Sequence, residues 1–311
     1  MVQRNVRYEF IVKMMEIPFA NSKMSSNAQI IEMLASDFYG AKLNLSERGI
    51  ASYDPWSQMP EVEVTKRMRA SGESERTVQL FLTFVSAMDR ARDANSLWQS
   101  AAELFMSHPE LFEPAEVEKI SLGTLKSLLR ESRVSQRHGP DSKAWHIISA
   151  SLIIGDNPIR RVIDSGFGDA LELLKSLRSR DQTGRSRFPL LRGPKIGPMW
   201  VRMMANPGGA EINCIEQIPV AVDVQVRRAV ENLGIANTQG FNLRKAKPII
   251  QEACREAVAE VNIGGPDRIA GTSAALDPVL WFYGKYGCSY CENENSGRQA
   301  PIGKACEHCK L

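Results

Sequence analysis

The chain is short of several things, and each shortage excludes a class of protein. No uninterrupted run of about 18 apolar residues exists, so no segment is built to cross a membrane as a helix. Met1 to Phe10 scatters Arg4, Arg7 and Glu9 among apolar residues and lacks the apolar core of a secretory signal, so a cytoplasmic location is expected. Net charge is only +3 over 311 residues, too little for a coat that binds polyanions by bulk charge. Histidine is scarce: His108, His138 and His146 form no metal-ligand spacing, and His308, between two cysteines, is expected to point away from them. Internal repeats and low-complexity stretches are absent. Six cysteines in a reducing compartment argue against a disulfide framework.

What remains is ordinary globular composition, 43% hydrophobic and 24% charged, with helical periodicity almost throughout. Apolar residues at 3–4 spacing predict helices over Ser26 to Tyr39, Arg76 to Ala91 and Ala94 to Met106. Proline in the first turn starts Pro114 to Ile120, and Ser121 and Asp141 cap the next two, to Arg130 and Ile154. Further helices are expected from Asn157-Pro158, over Asp169 to Leu177, Gly197 to Ala205, Asp223 to Asn232, Leu243 to Val261 and Pro266 to Tyr283. Ile218 to Val222 alone alternates like a short strand. The class is all-α. Polar Ser71 to Glu75 reads as a boundary.

Charge is unevenly placed. Pro158 to Trp200 holds nine Lys/Arg against four Asp/Glu, a local +5 that includes Arg187, Arg192 and Lys195. It leads into Gly193-Pro194-Lys195-Ile196-Gly197. Glycines at the entrance of a helix let backbone N–H groups and the helix dipole meet an anion such as a DNA phosphate. A plain structural turn is the alternative. Isolated Cys214 and Cys254 read as small buried hydrophobes. Cys288-x-x-Cys291, fourteen residues, then Cys306-x-x-Cys309 is a metal signature, and two such knuckles fit tetrahedral zinc.

Gly193-Pro194-Lys195-Ile196-Gly197, followed by Ile218-Pro219-Val220-Ala221-Val222-Asp223-Val224-Gln225-Val226-Arg227-Arg228, resembles the helix-hairpin-helix DNA glycosylase superfamily, the endonuclease III and 8-oxoguanine glycosylase group. The similarity runs from about Arg76 to Leu311. It implies a two-lobed all-α fold with a C-terminal four-cysteine metal loop: an N-terminal segment (1–75) joining the second lobe, a helical barrel (76–215) with the hairpin, and a second lobe (216–311). It implies a partner, double-stranded DNA with a damaged or modified base, met by a monomer near the nucleoid if the cell is bacterial. By the resemblance Lys195 is the nucleophile and Asp223 the catalytic carboxylate. Gly193, Gly197, Arg187 and Arg192 contact DNA, and Met88 wedges into the gap left by the flipped base. Relatives hold a [4Fe–4S] cluster at Cys288, Cys291, Cys306 and Cys309, but with another cysteine spacing. Zinc is slightly favoured here and the cluster is the alternative.

The chemistry follows from the bond broken. A flipped-out base leaves C1′ with cationic character, which a carboxylate stabilises. A neutral Lys195 amine attacks C1′ and opens a lyase route. Burial and nearby cations such as Arg192 are expected to lower its pKa. Two alternatives stand beside this. In a monofunctional glycosylase Asp223 activates water and Lys195 binds phosphate. In a non-catalytic DNA-binding protein Asp223 only caps its helix.

Overall fold

The computed structural model describes residues 24–45, 54–154, 156–293 and 301–310. The reading of Met1 to Phe10 lies outside them. Helices dominate, as the periodicity predicts: α1 (Ser26–Tyr39), α2 (Pro60–Ala70), α3 (Glu75–Met88), α4 (Ala94–Ser107), α5 (Pro114–Val117), α6 (Leu122–Glu131), α7 (His138–Ile153), α8 (Pro158–Ser165), α9 (Ala170–Leu177), α10 (Ile196–Ala205), α11 (Val224–Asn232), α12 (Leu243–Ala259), α13 (Ser273–Phe282) and α14 (Ser289–Asn293).

Local chemistry sets the ends. Ser25, Ser74, Asp93, Ser121, Asn157, Asp169, Asp223 and Asn242 each cap the following helix through a side-chain oxygen. Asp141 does not cap as expected. It lies inside α7, which begins three residues earlier, and reaches back to accept from Gln136 N at 3.1 Å and Arg137 N at 2.8 Å. The last long helix starts at Ser273, not Pro266, because Thr272 caps it and Gly271 sits at φ +75°. α2 is a helix that the apolar pattern does not announce. Pro60 opens it, Glu61 and Glu63 lie in its first turn, and Arg67 and Arg69 in its last, an order that suits the helix dipole.

Helix α3 is the hub. Every residue from Val78 to Met88 is buried, between α2, α4, α7 and α10. Phe81 and Phe84 stack on Phe112 and Trp145, with ring centroids 5.2 and 4.7 Å apart. Each such ring contributes roughly 1.5–3 kcal/mol on leaving water. A second packed group joins α11, α12, α13 and the 3₁₀ turn Lys304–His308 to α1. The N-terminal segment divides: α1 packs with the C-terminal helices, whereas α2 packs on α3 and α4.

Strand is sparse. Phe167–Asp169 (β1) pairs in parallel with Glu211–Asn213 (β2). The expected strand Ile218–Val222 is extended and buried but is no strand. Pro219 has no N–H, and side chains take the neighbouring backbone groups: Asp277 accepts from Ala221 N (3.1 Å), and Gln251 Nε2 donates to Val220 O (2.9 Å). This segment carries the chain into Asp223.

Candidate active site

Lys195 sits immediately before α10, and Asp223 caps α11. They are 28 positions apart in sequence. In space Lys195 Nζ lies 3.6 Å from Asp223 Oδ2 and 3.0 Å from Asp89 Oδ2. Asp223 divides its oxygens: Oδ1 accepts from Gln225 N (2.9 Å) and Val226 N (3.1 Å), which leaves Oδ2 facing the amine. The cap thus sets the rotamer of the candidate catalytic carboxylate. Asp89 follows the last residue of α3, a position for which the sequence gives no signal beyond an acid at a helix end.

Lys195 is largely buried. Burial works against its charge, but the carboxylates of Asp89, Asp223 and Asp277 outweigh it and hold the amine above the ordinary lysine range. The expectation of a lowered pKa is therefore corrected. The neighbours that decide it are acids, and Arg192 has no part in it.

These residues form the floor of a cleft of about 1070 Å³. Seven cations line it (Arg90, Arg92, Arg137, Arg192, Lys195, Lys247, Lys285), against Asp89, Asp93 and Asp223. Several are already engaged. Arg92 donates to the carbonyls of Val134 (2.6 Å) and Arg133 (2.8 Å). Lys285 pairs with Asp93 at 2.8 Å and lies 4.9 Å from the Trp281 ring centre. Arg90, Arg137 and Arg192 are exposed, and among the described residues their side chains have no ion-pair partner. They form a cationic rim around an acid-flanked floor.

Of the residues assigned to DNA, Gly193 and Arg192 line the cleft, whereas Gly197, Arg187 and Met88 do not. Gly197 faces inward against Leu174 and Leu177, and its N–H donates to Gly193 O at 2.9 Å. With Pro194 and Pro198 lacking N–H groups, the expected backbone cradle is reduced. Met88 is 5% exposed, packed in the core of α3, and offers no wedge; Arg90 and Ala91 stand at the rim instead. The short hairpin is also absent. The helix before α10 ends at Leu177, and a long irregular segment containing Leu190 at φ +71° intervenes.

Beneath the floor is a second charge cluster. Arg202, on α10 and 2% exposed, lies 2.8 Å from Glu61 of α2 and 3.2 Å from Asp277 of α13. The cluster joins both packed groups of helices under the site. Burial pushes the Asp277 carboxyl up to about 6, against the pull of Arg202.

The cysteines lie elsewhere. α13 continues through a π-helical turn, Tyr283–Cys288, which carries Cys288, into α14, which carries Cys291. Lys304 N donates to Asp37 Oδ2 (2.6 Å) and Lys310 N to Asn232 O (2.8 Å), fastening the stretch with Cys306 and Cys309. Cys288 lies near the thiols of Cys309 and Cys306, and Cys306 near those of Cys309 and Cys291. Burial pushes the Cys288 thiol up to about 12, with the neighbouring thiols acting the same way. The donors are right in kind for a thiophilic metal. Their arrangement is not that of a closed centre: among the described residues no group of three or more His, Cys, Asp or Glu is disposed to hold one. Cys254 is fully buried, as expected, but Cys214 is half-exposed at φ +58°, with its thiol bonded to Asp169.

Comparison with known protein families, with curated proteins and with solved structures finds no match to this chain. Among the described residues no helix is long and apolar enough to cross a membrane.

Proposed function

We propose that the protein is a DNA base-excision glycosylase acting on double-stranded DNA that contains a damaged or modified base. The observation that carries this reading is the convergence of Lys195 and Asp223, distant in sequence, on the floor of a cleft rimmed by Arg90, Arg137 and Arg192. The rim suits phosphates, and a cleft of about 1070 Å³ has the volume to take a flipped nucleotide. Asp223 Oδ2 is the charge that stabilises a cationic C1′ as the base departs.

One observation favours the monofunctional version. Lys195 is held as an ammonium by two carboxylates, so its lone pair is occupied. In that version water activated by Asp223 completes the reaction, and Lys195 orients the carboxylate and meets a phosphate. Lyase activity through Lys195 would require one of the two acids to take its proton first. The four cysteines are proposed as a structural metal site, zinc ahead of [4Fe–4S], remote from the chemistry. The test is a panel of duplexes, each with one altered base, assayed separately for free base and for strand scission. Base release without scission supports the monofunctional version, and release with scission the bifunctional one.

A further inference from the structure

A second lysine shares the cleft. Lys247 lies near the start of α12, where buried Ala246 and Ile250 pack the helix down. One turn further on, Gln251 Nε2 holds Val220 O at 2.9 Å, three residues before Asp223. This bond fixes α12 against the segment that delivers the catalytic carboxylate, with Lys247 in the same cleft. Lys247 is half-buried, and among the described residues it makes no ion pair or hydrogen bond.

The two amines are in opposite conditions. Lys195 is clamped between Asp89 and Asp223. Lys247 has no carboxylate in contact. Burial, then the charge of Lys195, push its amine below the ordinary lysine range, with Asp223 acting the other way. The other charged groups of the cleft wall are Asp89 and Asp93 and the cations Arg90, Arg92, Arg137, Arg192 and Lys285. A half-desolvated lysine beside a fixed cation is a physical route to a neutral nucleophilic amine.

We propose that Lys247, not Lys195, is the amine that bonds covalently to C1′ of the substrate sugar, with Lys195 as the fixed cation beside it. This rests on the glycosylase reading in its bifunctional version, with Lys247 in place of Lys195 as the amine. The Lys247 Nζ lone pair forms the bond to C1′ while the C1′–N bond to the base breaks. Its electron pair leaves with the base, which takes a proton from solvent. The attacking nitrogen then passes a proton to Asp223. Breaking C1′–O4′ gives the C1′=N Schiff base, and O4′ takes up the proton that Asp223 received.

The test uses the full chain and a duplex with a single abasic site, reduced with borohydride, digested and mapped by mass spectrometry. The adduct is expected on Lys247. It should disappear in Lys247→Met and Lys247→Arg, the second keeping the charge, while abasic-duplex binding persists. Lys195→Met should keep the adduct on Lys247, formed at higher pH. An adduct on Lys195 or any other lysine, or none despite binding, overturns the assignment. Base release from the altered-base panel is scored separately. If bases are released, only the assignment of Lys247 has failed; if none is released and abasic duplex is not bound, the glycosylase reading has failed with it.

Discussion

Asp89 Oδ2 and Lys195 Nζ stand 3.0 Å apart across 106 positions of chain. The contact ties the end of α3 to the start of α10 and supplies one of the three carboxylates that keep Lys195 charged. Replacing Asp89 with Asn removes that charge but keeps an oxygen in place. Lys195 should become less basic, so its reductive methylation should begin at lower pH. The loss in stability should be roughly 1–3 kcal/mol, read by chemical denaturation. An unshifted methylation profile would mean that Asp223 and Asp277 suffice.

Gly284 is where the π-helical turn meets α11. A Cβ there would lie 2.0 Å from the Gln225 carbonyl oxygen, and Gln225 N is one of the two donors that orient Asp223. Gly284→Ala should therefore destabilise the chain by about 3 kcal/mol or more. It should also impair Asp223-dependent activity in whatever fraction stays folded. Thermal melts and activity per folded molecule check this. A neutral substitution would show that the two segments separate easily.

Asp277 gives a pH signature. Its folded pKa, pushed up to about 6, exceeds the unfolded value near 3.9. The native state therefore binds its proton more tightly. The associated stability is complete below about pH 4 and is lost as pH rises through about 6. The difference in unfolding free energy, wild type minus Asp277→Asn, should fall by up to about 3 kcal/mol across that window. A flat difference would mean that Arg202 keeps Asp277 ionised throughout.

The four cysteines are expected to carry metal. One equivalent of zinc per chain, or the visible absorbance of an iron–sulfur cluster, should accompany the purified protein. Cys288→Ser together with Cys306→Ser should abolish it and lower the melting temperature. Metal-free protein with an unaltered melt would show that Asp37, Asn232 and the buried Cys288 hold the C-terminal stretch unaided.

Much of the helical architecture was legible because apolar spacing and capping residues are local signals. α2 escaped because polar residues dominate its sequence and its buried ones, Glu61 and Thr65 among them, are paired with other segments or with the helix itself. Ile218–Val222 misled because alternation specifies an extended chain, whereas a strand also needs a partner, and here side chains from α12 and α13 supply the bonds.

The candidate site was legible in half. Lys195 and Asp223 stand out as motif residues, and the structure brings them together. Asp89 and Lys247 carry no local pattern; only the approach of α3 and α12 to the cleft reveals them. The sign of the Lys195 shift could not be read from Arg192 next to it in sequence, because the acids that decide it come from distant segments. Met88 and Gly197 were assigned by position in a motif and proved to be core.

The most direct test is free-base release from the panel of single-lesion duplexes, wild type against Asp223→Asn, with duplex binding measured in parallel. One lesion should lose its base to the wild type and keep it with Asp223→Asn, both proteins binding that duplex. Release from no duplex, or equal release by both proteins, would contradict a glycosylase that works through Asp223.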